Sequence, residues 1–253
     1  MERIRARSTM GIHSTALRNW GALFLLAGII GKCIFQDRLA GLSYQDLNAV
    51  LDGPVWMLLC LALGLLLQLL EGCAIPIFSF LLVEGFQRTS SLKKYVLRLL
   101  AAAILSEIPY NLAYSGRFLD ISARNPMFAL VLSLLLLYLY SLYPEKTRKN
   151  GIMKALLTVA ALAWAFVLGI QHGVPIVTIT ASLWASREKK ARAAIGAAVA
   201  VACSFYSLAV VAAPFGFLAV HLYNDEPVEY NRKAYYLSYP LFLLVVGVIG
   251  IFL

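Results

Sequence analysis

Charge is what this chain has least of. Only 14% of its 253 residues are Asp, Glu, Lys or Arg, and 61% are hydrophobic; an ordinary soluble domain carries about 25% charged residues. Residues 20–35, 55–70, 128–143 and 237–253 are nearly free of charge. Runs of this kind approach the roughly 20 apolar residues that span a bilayer, which excludes a soluble globular chain. Cysteine is scarce as well. Cys33, Cys60, Cys73 and Cys203 have no paired spacing and lie mostly inside apolar runs, where cysteine serves as a small core residue rather than in a disulfide or a metal site. Phosphate-binding glycine loops, zinc motifs and nucleophile elbows are missing, as are internal repeats and Pro-rich linkers. One domain over residues 1–253 is expected, with no metal and no nucleic-acid partner.

The charge that is present is unevenly placed. A net charge of +9 would suit nucleic acid or anionic lipid, but here Lys and Arg sit in short clusters between apolar runs, as membrane topology requires. Arg3, Arg5, Arg7 and Arg18 place the tail, residues 1–18, in the cytoplasm. The apolar run after it ends without a small-residue cleavage site and reads as a retained first span. The fold expected is all-α, a polytopic transmembrane helix bundle of about nine spans.

The spans follow in order. The first covers residues 19–35. An outer segment, residues 36–53, carries Asp37, Asp46 and Asp52 against Arg38 and includes a short interfacial helix capped by Ser43. Residues 54–86 cross once. At about 1.5 Å per residue they would reach roughly 50 Å, against a hydrocarbon core of about 30 Å. Either one long helix is kinked and protrudes, or Glu71, Gly72 and Pro76 break off a separate piece. Residues 95–114 return outward and 126–143 come back. The next span ends outside at Gln171, His172 and Gly173, and residues 174–186 return to a basic cluster at 187–192. Residues 193–223 hold two spans turning near 204–207, with a kink at Pro214. A connector at 224–234 leads to the last span. On this map 18 of the 22 Lys and Arg residues are cytoplasmic.

Polar groups inside the apolar runs are the functional candidates, because ionisable residues are costly there. The stretch from residue 75 to 112 carries two, Glu84 and Glu107, around a basic connector. Asn111, four residues after Glu107, shares its helix face, and Pro109 between them frees the carbonyl of Leu105. With Asn125 and His172 at the outer ends of their spans, these groups are expected to converge in one outer pocket. A structural alternative pairs Glu107 with Asn125. Glu84 and Arg88, four apart, read most simply as an ion pair at a helix end. Glu71 and His221 complete the intramembrane polar set, and His13 reads as a tail residue.

The segments IPIFSFLLVEGF (75–86), KKYVLRLL (93–100) and SEIPYNL (106–112), with AAPFGFLAVHLYN (212–224) and YLSYPLF (236–242), resemble the TraX family. The resemblance runs from about residue 75 to the end. It implies a membrane acetyltransferase of the bacterial inner membrane, with acetyl-coenzyme A as donor and, in the family, the N-terminus of pilin as acceptor in conjugation. The Asp-His pair that the resemblance implies late in the first span is replaced by Gly28 and Ile29. A histidine is the expected base for an amine or hydroxyl acceptor, so the role falls to His172 or Glu107, with Asn111 and Asn125 orienting. Arg88, Lys93, Lys94 and Arg98 either meet the phosphates of the donor or simply obey topology. Alternatives are a non-catalytic assembly partner or carrier on the same scaffold, and a transporter using Glu107 as a proton relay, which lacks the expected repeat halves. The acceptor, whether peptide, glycan or lipid, is left open.

Overall fold

The computed structural model describes residues 11–42, 45–185, 189–224 and 232–253, and all regular structure among them is helical. In order, the helices are α1 (Ser14–Ile30), a π-helical turn (Gly31–Leu39), α2 (Leu47–Leu51), α3 (Val55–Arg88), α4 (Leu92–Ser115), α5 (Met127–Ser141), α6 (Arg148–Val167), α7 (Gly173–Ala185), α8 (Lys189–Cys203), a 3-10 turn (Leu208–Ala212), α9 (Ala213–His221) and α10 (Arg232–Phe252).

Among the described residues, four helical stretches are long and apolar enough to cross a membrane: Val55–Arg88, Leu92–Ser115, Arg148–Val167 and Ala234–Phe252. Shorter apolar helices, Met127–Ser141, Gly173–Ala185, Ala193–Cys203 and Leu208–His221, pack among them. Their lipid-facing character is visible in what they expose. Leu59, Leu66, Ile104, Val159, Trp164, Phe166 and Val245 each leave more than half of their surface uncovered, which in water would be a large apolar patch and in a bilayer is the matching solvent. The chain is an integral membrane protein.

The long apolar run resolves as one helix. Pro76 sits inside α3 without ending it. At about 1.5 Å per residue its 34 residues measure roughly 50 Å, so about 20 Å must be absorbed by tilt or by projection beyond the core. Its two parts have different surroundings. Leu59, Leu63, Leu66 and Leu70 are exposed, whereas every residue from Glu71 to Ile77 is buried. The helix is the hub of the bundle, with α1, the π-turn, α7, the 3-10 turn and α9 packed around it. Small residues permit the close approaches. A Cβ at Gly72 would overlap the Ala209 carbonyl, and one at Gly216 would overlap the Cys73 carbonyl, as helix contacts in lipid favour. The Cys73 thiol donates to the Ala212 carbonyl at 3.4 Å. All four cysteines are free.

Elsewhere the elements differ from expectation in local ways. The chain does turn between Cys203 and Leu208, but Pro214 lies in the first turn of α9, where a missing N–H costs nothing, so it opens a helix instead of bending one. The interfacial helix starts at Leu47 after Asp46; its expected cap, Ser43, lies outside the described residues, as does part of the basic cluster at 187–192. His13 is no loose tail residue: it precedes α1, and beside it Ile12 N donates to the Leu222 carbonyl while Asn224 N donates to the Ile12 carbonyl. A second long-range pairing lies near the site. Arg124 N donates to the Gly169 carbonyl and Gln171 N to the Arg124 carbonyl, both at 2.9 Å, so the α4–α5 loop is stitched to the turn before α7.

Candidate functional site

That stitched turn ends in His172, the residue just before α7. Its φ is +53°, and it is the one non-glycine residue with positive φ among those described. A side chain held in the left-handed region costs about 1–3 kcal/mol, and such residues cluster at functional sites. The strain has visible supports. Gly169 (φ +61°) and Gly173 flank the turn, the Arg124 backbone clamps it, and the Tyr110 hydroxyl donates to Gln171 Oε1 at 3.0 Å.

His172 is 6% exposed and faces Glu71, which is 2% exposed. Nε2 lies 3.4 Å from Glu71 Oε1, close enough for an ion pair but not aligned as a hydrogen bond. Both ring nitrogens and both carboxylate oxygens lack a hydrogen-bond partner among the described residues. Buried polar atoms are nearly always bonded, so a buried carboxylate and a buried imidazole that face each other inside a membrane bundle are a functional-site candidate. Room for the carboxylate comes from α1, where a Cβ at Gly28 would overlap the Glu71 side chain. Gly28 is thus the socket of Glu71.

Two cavities meet at His172. The larger, about 1080 Å³, is lined by Glu71 and His172 at one end and by Glu84, Arg88, Lys94 and Arg98 at the other, with Arg18, Tyr235, Tyr236 and Tyr239 along its wall. Glu71 and Arg88 are 17 residues apart on α3, so the cavity reaches about 25 Å along that helix. The smaller, about 490 Å³, is lined by Lys32, Gln68, Tyr110, Asn111, Tyr114, Asp120, Gln171 and His172. It lies beyond His172, toward the start of α3 and the end of α4. His172 lines both.

The expected site residues divide accordingly. Asn111, 2% exposed, and His172 line the smaller cavity together. Glu107 and Asn125 line neither and bond each other. Asn125 Nδ2 donates to Glu107 Oε2 at 2.7 Å, Asn125 N donates to the same oxygen at 3.3 Å, and Arg124 Nη1 donates to Oε1 at 3.0 Å. Asn125 Nδ2 also reaches the Ala103 carbonyl at 2.9 Å. This is the structural alternative the sequence left open. Its position gives it a further consequence, because it anchors the Arg124 loop that clamps the His172 turn.

On the basic side, Arg88 Nη2 sits 2.8 Å from Glu84 Oε2 as the expected i,i+4 pair. Arg88, Lys94 and Arg98 line the cavity mouth, while Lys93 is exposed and outside the lining. His221, exposed at the end of α9, lines neither cavity. Among the described residues no cluster of His, Cys, Asp and Glu has the make-up of a metal site. Sequence reasoning missed the Glu71–His172 pair. The available signal was a carboxylate inside the long apolar run 54–86, read instead as a helix break.

The π-turn after α1 contributes the remaining polar contacts near the smaller cavity. Lys32 Nζ pairs with Asp37 Oδ1 at 2.6 Å, and Gln36 Nε2 donates to Gln68 Oε1 at 3.1 Å. At the loop, Ser122 N donates to Asp120 Oδ1 at 2.9 Å, and this bond holds the Asp120 carboxyl below its ordinary range.

A family model described as TraX protein matches residues 43–250. The match starts earlier than the resemblance seen in the motifs and begins after α1, so the first-span positions Gly28 and Ile29 fall outside it. No curated protein matches the chain. No solved structure matches it either.

Proposed function

The chain belongs to the TraX family, and from that premise we propose an acyltransferase of the bacterial inner membrane that moves an acetyl group from acetyl-coenzyme A to an acceptor reached through the smaller cavity. The observation that carries this reading is His172, a buried imidazole that faces a carboxylate and lines two cavities extending in opposite directions.

The donor enters from the basic end. Arg88, Lys94 and Arg98 offer the cations that phosphate groups require, and the positive clusters put this end in the cytoplasm. At about 1080 Å³ the cavity is at the top of the range of ligand pockets, about 300–1,000 Å³, and its length suits a long thioester. Placed this way, the thioester carbonyl reaches His172. The imidazole takes a proton from the acceptor as its nucleophilic atom attacks the carbonyl carbon. The C–S bond then breaks, and the imidazolium returns the proton to the departing thiolate. Glu71 stabilises the imidazolium and holds the ring, as carboxylates do for catalytic histidines. The long 3.4 Å contact is of the kind that tightens once substrate is bound. In this reading the acid partner comes from α3, and Gly28 in α1 makes the space for it.

The test is direct. Protein in lipid nanodiscs, given acetyl-coenzyme A labelled in the acetyl group and a membrane extract, should release free coenzyme A and label an acceptor. If the protein neither binds the donor nor turns it over, the proposal is wrong.

A further inference from the structure

The larger cavity, the Glu71–His172 pair and the Glu84–Arg88 pair are absorbed by the reading above; the smaller cavity is not, beyond its being the acceptor side. Its chemistry is specific. Asn111, Gln171 and Gln68 contribute side-chain amides, and Ser115, Ser122, Ser207 and Tyr206 contribute hydroxyls. Every one of these groups both donates and accepts. Both charged groups on the wall are already engaged, Lys32 by Asp37 and Asp120 by Ser122 N. One wall is aromatic: the rings of Tyr110 and Tyr114 stack at 4.5 Å with an angle of 27° between planes. Within reach at its floor is the unpartnered, buried imidazole of His172.

Each class of acceptor makes a different demand on such a wall. A peptide N-terminus is a cation and requires a carboxylate close to the reacting atom; Asp120, the carboxylate on this wall, sits half-buried on the α4–α5 loop with Oδ1 already taken by Ser122 N. An acyl chain requires an unbroken apolar tunnel, and here amides and hydroxyls interrupt the apolar surface of Ala123, Phe166 and Ile170. A sugar ring presents neutral hydroxyls, each donor and acceptor at once, and an apolar C–H face that lies against an aromatic plane. A volume of about 490 Å³ holds a ligand of that size.

We propose that the smaller cavity is an acceptor subsite for an uncharged sugar residue, with the Tyr110–Tyr114 pair as its platform and Asn111 and Gln171 as its hydrogen-bonding edge. This rests on the acyl-transfer reading for its product, an O-acetyl ester. The sugar hydroxyl oxygen bonds to the acetyl carbonyl carbon, its proton passes to His172, the thioester C–S bond breaks, and the proton leaves on the coenzyme A thiol.

Saturation-transfer NMR on the full chain in nanodiscs tests binding apart from chemistry; sugar-headed detergents are avoided because they would occupy the site. The probes are a methyl glucoside, a disaccharide capped at its reducing end, and an alanine tripeptide with a free N-terminus. The sugars should receive saturation from the wild-type protein, and the tripeptide should not. Tyr114→Ala should lower the sugar signal at least fivefold, Tyr114→Phe should retain it, and acetyl-coenzyme A binding should be the same in all three proteins. Saturation of the tripeptide alone, no sugar signal, or an undiminished signal in a Tyr114→Ala protein that still binds acetyl-coenzyme A would each overturn the inference. Sugar binding at Tyr114 in a protein that neither binds nor cleaves acetyl-coenzyme A would instead overturn the acyl-transfer reading and leave the sugar site standing.

Discussion

Glu71 and Glu107 are both carboxylates on membrane-crossing helices, and their surroundings are opposite. Glu107 accepts three hydrogen bonds, from Arg124 Nη1, Asn125 N and Asn125 Nδ2. Glu71 accepts none from the described residues and faces an imidazole that is equally unbonded. A saturated carboxylate has spent its lone pairs on architecture, whereas an unsaturated one retains them for a partner that arrives later. The difference teaches that depth in the membrane marks a carboxylate as important, and bonding state says what it is important for.

Substitutions sharpen the contrast. The largest effect is expected at the unsaturated pair. His172→Ala and Glu71→Gln should each cut acetyl transfer by about 10²–10⁴-fold, the usual contribution of general acid–base groups, while thermal unfolding in nanodiscs stays within a few degrees of wild type. A variant that kept its turnover would remove the pair from the mechanism. Gly28→Ala comes next. Its methyl overlaps Glu71, so the carboxylate must shift, and misplacement of about 1 Å costs on the order of 10²-fold; a Gly28→Ala enzyme as active as wild type would show that the socket is not needed.

At the saturated carboxylate the order of effects reverses. Glu107→Ala strands the Arg124 and Asn125 donors, at about 1–3 kcal/mol, and should lower the unfolding midpoint measurably. Turnover per folded molecule should fall by less than tenfold, through loosening of the loop that clamps the His172 turn. A collapse of activity with no loss of stability would erase the distinction between the two residues. The smallest effect is expected at the mouth. Lys94→Ala and Arg98→Ala should each raise KM for acetyl-coenzyme A severalfold at unchanged kcat, because they contact the donor equally before and during the reaction. A fall in kcat alone would place them elsewhere in the cycle.

Much of the bundle was legible in the sequence. Apolar runs located the long helices, and the charged or polar residues at their ends located the turns, including the one at residues 171–173. The Glu84–Arg88 pair followed from spacing alone, and Glu107 with Asn125 was among the alternatives. The partner of Glu71 was not legible. Helical periodicity says which residues share a face of one helix; it does not say which faces of α1, α3 and α7 meet. Glu71 and His172 are far apart in the chain, and Glu71 stands next to Gly72 and near Pro76, which together read as a break. Gly28 was misleading for a related reason. In the sequence it marks the loss of an expected Asp-His pair, and in the fold it is the space into which another carboxylate projects. Small residues carry no visible chemistry until their neighbour is known.

One ring lining both cavities has an electrical consequence. Moving one charge across 100 mV is worth about 2.3 kcal/mol, and water-filled recesses on either side of a thin partition concentrate that drop across the partition. Under the proposed mechanism the ring shared by the two cavities is that of His172, and the particle it handles is a proton. The energised state of the membrane would therefore act on the same proton that the transfer reaction moves, tying the rate of a nominally non-electrogenic reaction to the voltage of the cell.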